Sequence, residues 1–191
     1  LLLAKAPAAL EVYNDINGDM VNMFRVLSDP KLFDAFYRRV GPLPFSRELW
    51  ALCVTEMPKQ TDPVEKAWRY YVQCRQAFGG RGAMVSKSWG FSTESSSGGM
   101  SSTVRGWLGA LKELPRLHER LQRVQIERSS FLPQGNERGI FATYDSPTTF
   151  FYCDPPYAAE KRKTEQFYEN EMSPRDHKRM VHILLNLKGS C

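Results

Sequence analysis

A carboxylate followed by two prolines and a tyrosine, Asp154-Pro155-Pro156-Tyr157, is the feature that most limits how this chain folds. The residues before it, Phe150 to Cys153, favour β-structure, and Asp145-Ser146-Pro147 upstream is turn-like. This pattern predicts a buried strand that ends at Asp154. In open α/β sheets, ligands bind at the carboxyl ends of strands. We therefore expect a binding site at this strand end.

The residue types at this strand end suit a flat, amino-bearing ring. The prolines hold Asp154 extended and remove two backbone donors. The carboxylate of Asp154 and the carbonyl oxygen of Pro155 both accept hydrogen bonds, which matches an NH2 group with two hydrogens to donate. Tyr157 can stack on the face of the same ring. The structural alternative is a Pro-Pro turn with a surface aspartate and a packing tyrosine.

A second polar loop lies near the start of the chain. Ala8 to Tyr13 is predicted to be a strand, Asn14-Asp15-Ile16-Asn17 follows it, and Met20 to Leu27 has the spacing of an amphipathic helix. A carboxylate at a strand end of a nucleotide-binding half commonly holds ribose hydroxyls. Asp15 is therefore a candidate ribose ligand, and Ile16 a candidate contact for an adenine ring. Capping of the following helix by Asp15 or Asn17 is an equally sound interpretation.

The middle of the chain is basic and aromatic. From residue 66 to residue 128 there are eleven Lys or Arg against four Glu, a larger excess than the +5 of the whole chain. Cations interleaved with aromatic side chains suit phosphate contact and base stacking. Leu108 to Leu121 is expected to be an amphipathic helix with a solvated charged face. The stretch from Gly79 to Ser102 is interpreted as a loop that orders on nucleic acid or, alternatively, as an ordinary mobile loop. The candidate nucleic-acid contacts are Arg75, Arg81, Lys87, Trp89 and Arg105.

Two further elements are predicted towards the C-terminus. Val124 to Glu127 has a strand pattern and leads into Ser129-Ser130-Phe131. A helix is expected to begin at Ser173-Pro174, with Asp176 in its first turn, and to end at Lys188-Gly189. His177, in the first turn of this helix, is expected to have a structural role.

These motifs resemble a known family. Tyr152 to Tyr157 looks like the catalytic motif of amino-methyltransferases that use S-adenosylmethionine, and its Asp-Pro-Pro-Tyr form resembles the DNA adenine-N6 enzymes. Tyr13 to Asn17 is similar to the corresponding stretch of Dam-like enzymes of phage and bacterial type. The 139 positions from Asp15 to Asp154 resemble the alpha order, in which a target-recognition domain lies between the two motifs.

The resemblance implies an α/β, Rossmann-like methyltransferase domain with an inserted, largely helical target-recognition subdomain. The expected division is 1–55 and 123–191 for the methyltransferase domain and 56–122 for the insertion. The catalytic residues would be Asp154, Pro155, Pro156 and Tyr157. The cofactor-binding residues would be Asp15, Ile16, Ser130, Phe131 and Asp154, although a core phenylalanine is the simpler explanation of Phe131. Residues 158–171 resemble a loop that closes over a flipped base.

The implied activity is transfer of a methyl group from S-adenosylmethionine to N6 of a flipped adenine in double-stranded DNA. Two alternatives stay open: an RNA or other amino-methyltransferase, and a non-catalytic DNA-binding remnant. The chain lacks the family's glycine-rich cofactor segment, so it resembles a fragment. The four cysteines show no paired spacing for zinc, and no metal is expected. We expect a cytoplasmic, monomeric protein of a bacterium or a phage-infected host cell, without a membrane partner.

Overall fold

A computed structural model describes residues 2–78, 88–91, 96–97, 99–133, 138–157 and 170–191. The chain packs as two compact units. The first unit contains Leu1–Tyr13 and Gly18–Glu127, and the second contains Asn14–Asn17 and Arg128–Cys191. The domain boundary that was predicted between residues 55 and 56 lies inside the first unit. The division into 1–55, 56–122 and 123–191 stays a prediction.

Helices make up most of the first unit. Three of them begin after a polar residue whose side chain accepts hydrogen bonds from first-turn amides: Asp29, Ser46 and Asp62. Two of these helices also begin with proline, whose missing amide hydrogen costs nothing at that position. The elements are α1 (Gly18–Ser28), α2 (Pro30–Val40), α3 (Arg47–Glu56), a 3-10 turn (Met57–Lys59), α4 (Pro63–Gln76) and α5 (Ser102–Leu121).

The core of the first unit lies where α4 packs against α1, α2 and α3. Val26, Phe36 and Val72 are fully buried there. Gln76 is fully buried as well, and its amide is satisfied on both sides. Its Nε2 donates to the Pro44 carbonyl at 2.9 Å, and its Oε1 accepts from the Ser46 amide at 2.9 Å. Because a buried polar group is costly unless it is hydrogen-bonded, Gln76 holds the segment that leads into α3 in place.

The amphipathic helix predicted from Leu108 to Leu121 is confirmed and begins earlier, at Ser102. Its buried side begins with Trp107, whose indole nitrogen donates to the Leu43 carbonyl at 3.0 Å. Leu111, Leu114 and Leu121 continue that side at helical spacing.

Within the part of the chain that the structure describes, four short strands form two small sheets. The strands are β1 (Val12–Asn14), β2 (Ser96–Ser97), β3 (Met100–Ser101) and β4 (Gln125–Glu127). β1 pairs with β4, and β2 pairs antiparallel with β3. The strand predicted at Val124 to Glu127 is thus confirmed to within one residue. The mixture of helices and strands is compatible with a methyltransferase fold, while the Rossmann-like sheet and the inserted subdomain stay predictions.

The N-terminal predictions hold only in part. Helix α1 is confirmed, but the strand expected at Ala8 to Tyr13 is present only from Val12, because the backbone bends at residues 9 and 10. Residues 2–4 form a hydrogen-bonded turn. No helix in the described ranges is both long enough and apolar enough to cross a membrane.

The second unit contains helices α6 (Ile140–Tyr144) and α7 (Pro174–Leu185). The predicted start of α7 is confirmed by a capping box between Ser173 and Asp176. The helix ends at Leu185, three residues before the predicted stop at Lys188. Asn186 ends it early because its backbone, at φ −111° and ψ 10°, leaves the helical region.

The strand predicted at Phe150 to Cys153 is wrong except at one position. Phe150 forms a single parallel bridge with Ser190, and residues 151–157 have no regular secondary structure. Phe150 and Tyr152 are 64% and 67% exposed, not buried. A strand needs repeated hydrogen bonds to a neighbour. Among the described residues Ser190 is the one partner, and Pro155 and Pro156 cannot donate.

Candidate functional site

Two loops distant in sequence meet in the second unit. The side-chain amide of Asn14 donates to the Ser129 carbonyl at 3.0 Å and accepts from the Ser129 amide at 2.8 Å. Arg128 Nε donates to the Ile16 carbonyl at 3.3 Å. The predicted cofactor residues Asp15 and Ile16 are thereby placed beside the segment that leads into Ser130 and Phe131.

This pair of loops presents both polar and apolar surface. Asp15 is partly buried, and its Oδ1 accepts from the Asn17 amide at 2.9 Å, so the carboxylate orders its own loop. Ile16 is 44% exposed. An ordered carboxylate beside an exposed aliphatic side chain is a chemically suitable surface for a nucleoside: the first can accept from ribose hydroxyls, and the second can cover a ring.

Ser130 and Phe131 are half-buried, and their backbone is held from two directions. Ser130 Oγ accepts from the Leu132 amide at 3.1 Å, and the Ser130 carbonyl accepts from the Ile140 amide at 2.9 Å. Gly139 makes close packing against Phe131 feasible. A Cβ added at Gly139 would lie 2.8 Å from the carbonyl carbon of Phe131. Glycine is thus required here for backbone approach.

We expect Gly139→Ala to destabilise the protein by about 1–3 kcal/mol, since the new methyl group would push away the Phe131 backbone. Urea denaturation measures this change. Gly109→Ala is the matched control, because Gly109 is a helical glycine and the added Cβ meets nothing within 4 Å beyond its own helix backbone and chain neighbours. That control should gain roughly 0.5–1 kcal/mol from its helix propensity. Equal stability of Gly139→Ala and the parent protein would contradict the packing argument.

The predicted catalytic segment exposes its chemical groups. Asp154 is exposed, and no hydrogen bond or ion pair joins its carboxylate to a residue that the structure describes. Tyr157 is 67% exposed. Pro155 and Pro156 between them are half-buried, and His177 Nε2 lies 2.8 Å from the Pro156 carbonyl oxygen. The segment therefore offers a carboxylate and an aromatic ring to a ligand while its central prolines stay anchored.

Asp145 fixes the stretch of chain that leads into this segment. The Asp145 carboxylate accepts from the backbone amides of Lys188 and Gly189 at 2.9 to 3.0 Å. These hydrogen bonds hold the pKa of Asp145 below its usual value. They align residues 188–190 with the chain before Asp154, where Phe151 donates to the Ser190 carbonyl at 2.8 Å. Asp145, predicted as a turn residue, thus also clamps two segments of the second unit together.

The nucleic-acid candidates that the structure describes lie in the first unit. Arg75 and Arg105 are exposed and make long contacts, from Arg75 Nη2 to the Gly106 carbonyl at 3.4 Å and from Arg105 Nη2 to the Met100 carbonyl at 3.5 Å. Trp89 is half-buried and forms an antiparallel bridge with Ala77. Arg81 and Lys87, and most of the stretch from Gly79 to Ser102, lie outside the described residues, as do residues 158–169.

The sequence did not predict the contacts of two side chains, Arg47 in the first unit and Asn14 in the second. Arg47 lies over the rings of Trp89 and Phe91, with its guanidinium carbon 5.1 and 5.7 Å from their centres. Nothing in the spacing of Arg47 pointed to residues more than 40 positions away. Asn14 was noted only as part of its loop, although an amide side chain at a strand end is a common backbone clamp.

Comparison with known proteins identifies a family that the C-terminal part of the chain resembles. Residues 107–191 match the family model for D12 class N6 adenine-specific DNA methyltransferases. The matched segment includes Ser130, Phe131 and Asp154 to Tyr157, and it begins after the loop at Asp15. No curated protein matches the chain. The expected resemblance to adenine methyltransferases is thereby confirmed: residues 107–191 are similar to the D12 class of N6 adenine-specific DNA methyltransferases, a class of DNA-methylating enzymes.

Proposed function

We propose that this protein transfers a methyl group from S-adenosylmethionine to N6 of an adenine flipped out of double-stranded DNA. The observation that carries the proposal is the Asp154-Pro155-Pro156-Tyr157 segment, whose Asp154 and Tyr157 are exposed and which shares one compact unit with the loops at residues 14–17 and 128–131. The family match to residues 107–191 supports the reaction class.

The second unit has groups suited to the methyl donor. S-adenosylmethionine supplies a methyl group on a sulfonium centre together with an adenosine for binding. In the proposal, Asp15 accepts from the ribose hydroxyls and the exposed Ile16 covers the adenine ring. Ser130 and Phe131 border the same loop through the Asn14 to Ser129 hydrogen bonds. Asp154, already exposed, would contribute to both the cofactor and the substrate side.

Asp154 and Pro155 would activate the target amino group. Adenine N6 is a weak nucleophile because its lone pair is delocalised into the ring. As N6 pyramidalises and becomes cationic, its hydrogens are donated more strongly to the Asp154 carboxylate and the Pro155 carbonyl. These acceptors therefore stabilise the transition state more than the ground state. Tyr157 would stack on the flipped base and offset part of the few kcal/mol that flipping costs.

Contacts to the DNA backbone are assigned to basic side chains of the first unit. Arg75 and Arg105 are exposed, and their hydrogen bonds to described residues are long, so their charges can reach phosphates at little cost. Arg81 and Lys87 complete the proposed set from outside the described residues. Trp89 is proposed as an aromatic contact, and region 56–122 as the target-recognition domain.

The intact protein should transfer labelled methyl groups from S-adenosylmethionine to duplex DNA, and digestion of that DNA should yield N6-methyladenine. Equal or greater transfer to RNA would favour an RNA amino-methyltransferase. DNA binding with no transfer to either substrate would favour a non-catalytic remnant. Each of these two results would overturn the proposal.

A further inference from the structure

The ring of His177 lies between two backbone carbonyl groups. Its Nε2 is 2.8 Å from the carbonyl oxygen of Pro156, and its Nδ1 is 3.0 Å from that of Ser173. Carbonyl oxygens accept and never donate, so the imidazole is the donor in any hydrogen bond that forms here. A neutral ring has one N–H, and the shorter contact is the one to Pro156.

The Pro156 carbonyl is an important hydrogen-bonding group because the neighbouring backbone has few groups that can hold the segment in place. Pro155 and Pro156 have no amide hydrogens, and residues 151–157 have no regular secondary structure. Within the described ranges, no other side chain hydrogen-bonds the backbone from residue 152 to residue 157. His177 therefore provides the anchor for the peptide between Pro156 and Tyr157.

His177 is itself rigidly placed. It lies in the first turn of α7, and its amide donates to the Ser173 carbonyl at 3.0 Å. Asp176 N donates to Ser173 Oγ at 3.1 Å, and Ser173 N donates back to Asp176 Oδ2 at 3.2 Å. This capping box orders the first turn, so the imidazole approaches Pro156 from a fixed backbone.

We propose that His177 is a positioning residue for methyl transfer, which donates from Nε2 to the Pro156 carbonyl and thereby orients the Pro155 carbonyl and the Tyr157 ring. Occupying the Pro156 oxygen leaves the Pro155 oxygen as the carbonyl available to the target amino group. The inference rests on the proposed function, since it assigns a role within that same site. Small displacements of an acceptor from the reacting atoms are costly to rate, because the geometry must be held within a fraction of an ångström.

The test compares His177→Leu with His177→Gln in the intact protein. Leucine removes the donor, and we expect kcat to fall by roughly 10- to 100-fold while KM for DNA and Kd for S-adenosylmethionine change less than about twofold. Glutamine keeps an N–H donor and should recover most of kcat. The control is His182→Leu in the same helix, where an exposed histidine undergoes the same chemical change. An unchanged kcat in His177→Leu, or equal losses in the Leu and Gln variants, would overturn the inference.

A second measurement separates this inference from the proposed function. Nitrogen-15 NMR of the histidine side chains identifies which ring nitrogen carries the hydrogen in the neutral form, and it needs no activity. We expect the Nε2–H tautomer for His177, and the Nδ1–H tautomer would sink the inference. A wild-type protein that transfers no methyl group would instead refute the proposed function while leaving the tautomer result intact.

Discussion

Replacing Asp154 with alanine is expected to lower kcat for DNA methylation at least about a thousandfold, the largest functional effect predicted for this chain. The substitution removes the carboxylate that would accept a hydrogen from the target amino group as positive charge develops on N6. DNA binding should change little, because the candidate phosphate contacts, Arg75 and Arg105 among them, lie in the other compact unit. Methyl transfer and gel-shift assays on the same preparations measure the two quantities.

The effect of Asp154→Ala can be separated from misfolding. Asp154 is exposed, and its carboxylate makes no hydrogen bond or ion pair with a described residue, so the free energy of unfolding should stay within about 0.5 kcal/mol of the parent value. Asp154→Asn is the matched variant, because its carboxamide oxygen still accepts a hydrogen bond but carries no charge. Its activity should lie between those of the alanine variant and the parent. Methylation by Asp154→Ala near the parent rate would refute the assignment.

Replacing Glu11 with glutamine is expected to produce the largest loss of stability, about 3–5 kcal/mol. The Glu11 side chain is 2% exposed, and its carboxylate faces the guanidinium of Arg120, which is 14% exposed. Arg120 Nη2 donates to Oε1 at 2.8 Å, Nη1 lies 2.6 Å from Oε2, and Lys5 Nζ also bonds Oε1. The glutamine variant would leave the buried Arg120 charge without a full countercharge. Urea denaturation measures the difference.

A surface ion pair in α5, the helix that contains Arg120, provides the control for Glu11. Glu113 and Arg116 lie 3.5 Å apart with side chains 68% and 84% exposed, so Glu113→Gln should cost less than about 1 kcal/mol. If the Glu11 variant were as stable as the Glu113 variant, the buried pair would have no net role in stability.

The Glu11 contribution should also depend on pH in a defined direction. Hydrogen bonds from Arg120 and Lys5 lower the pKa of Glu11 from 4.5 to about 2. The folded state therefore keeps the charge at pH values where the unfolded chain takes up a proton. The stabilisation is complete above about pH 4.5 and is lost as the pH falls towards 2. The difference in unfolding free energy between parent and Glu11→Gln should shrink over that range, and growth of the difference at acidic pH would contradict it.

Local signals predicted α1, the buried side of α5 and the start of α7. Ser173, Pro174 and Asp176 marked the start of α7 because a cap acts on amides within its own turn. The leucines of α5 showed its buried side because helical spacing alone places them together. The strand from Phe150 to Cys153 was predicted wrongly because β-favouring residues form a strand only when a neighbour pairs with them repeatedly, and here Ser190 supplies a single bridge.

By itself, the sequence determined the start of α7, the amphipathic side of α5 and the chemical identity of the Asp154 to Tyr157 segment. These depend on residues within a few positions of one another or on side-chain chemistry. The tertiary structure alone decided that Asn14 clamps Ser129, that Glu11 pairs with Arg120, and that His177 anchors Pro156. Each of these contacts joins residues between 21 and 115 positions apart, so it exists only after packing has brought the two segments within hydrogen-bonding distance.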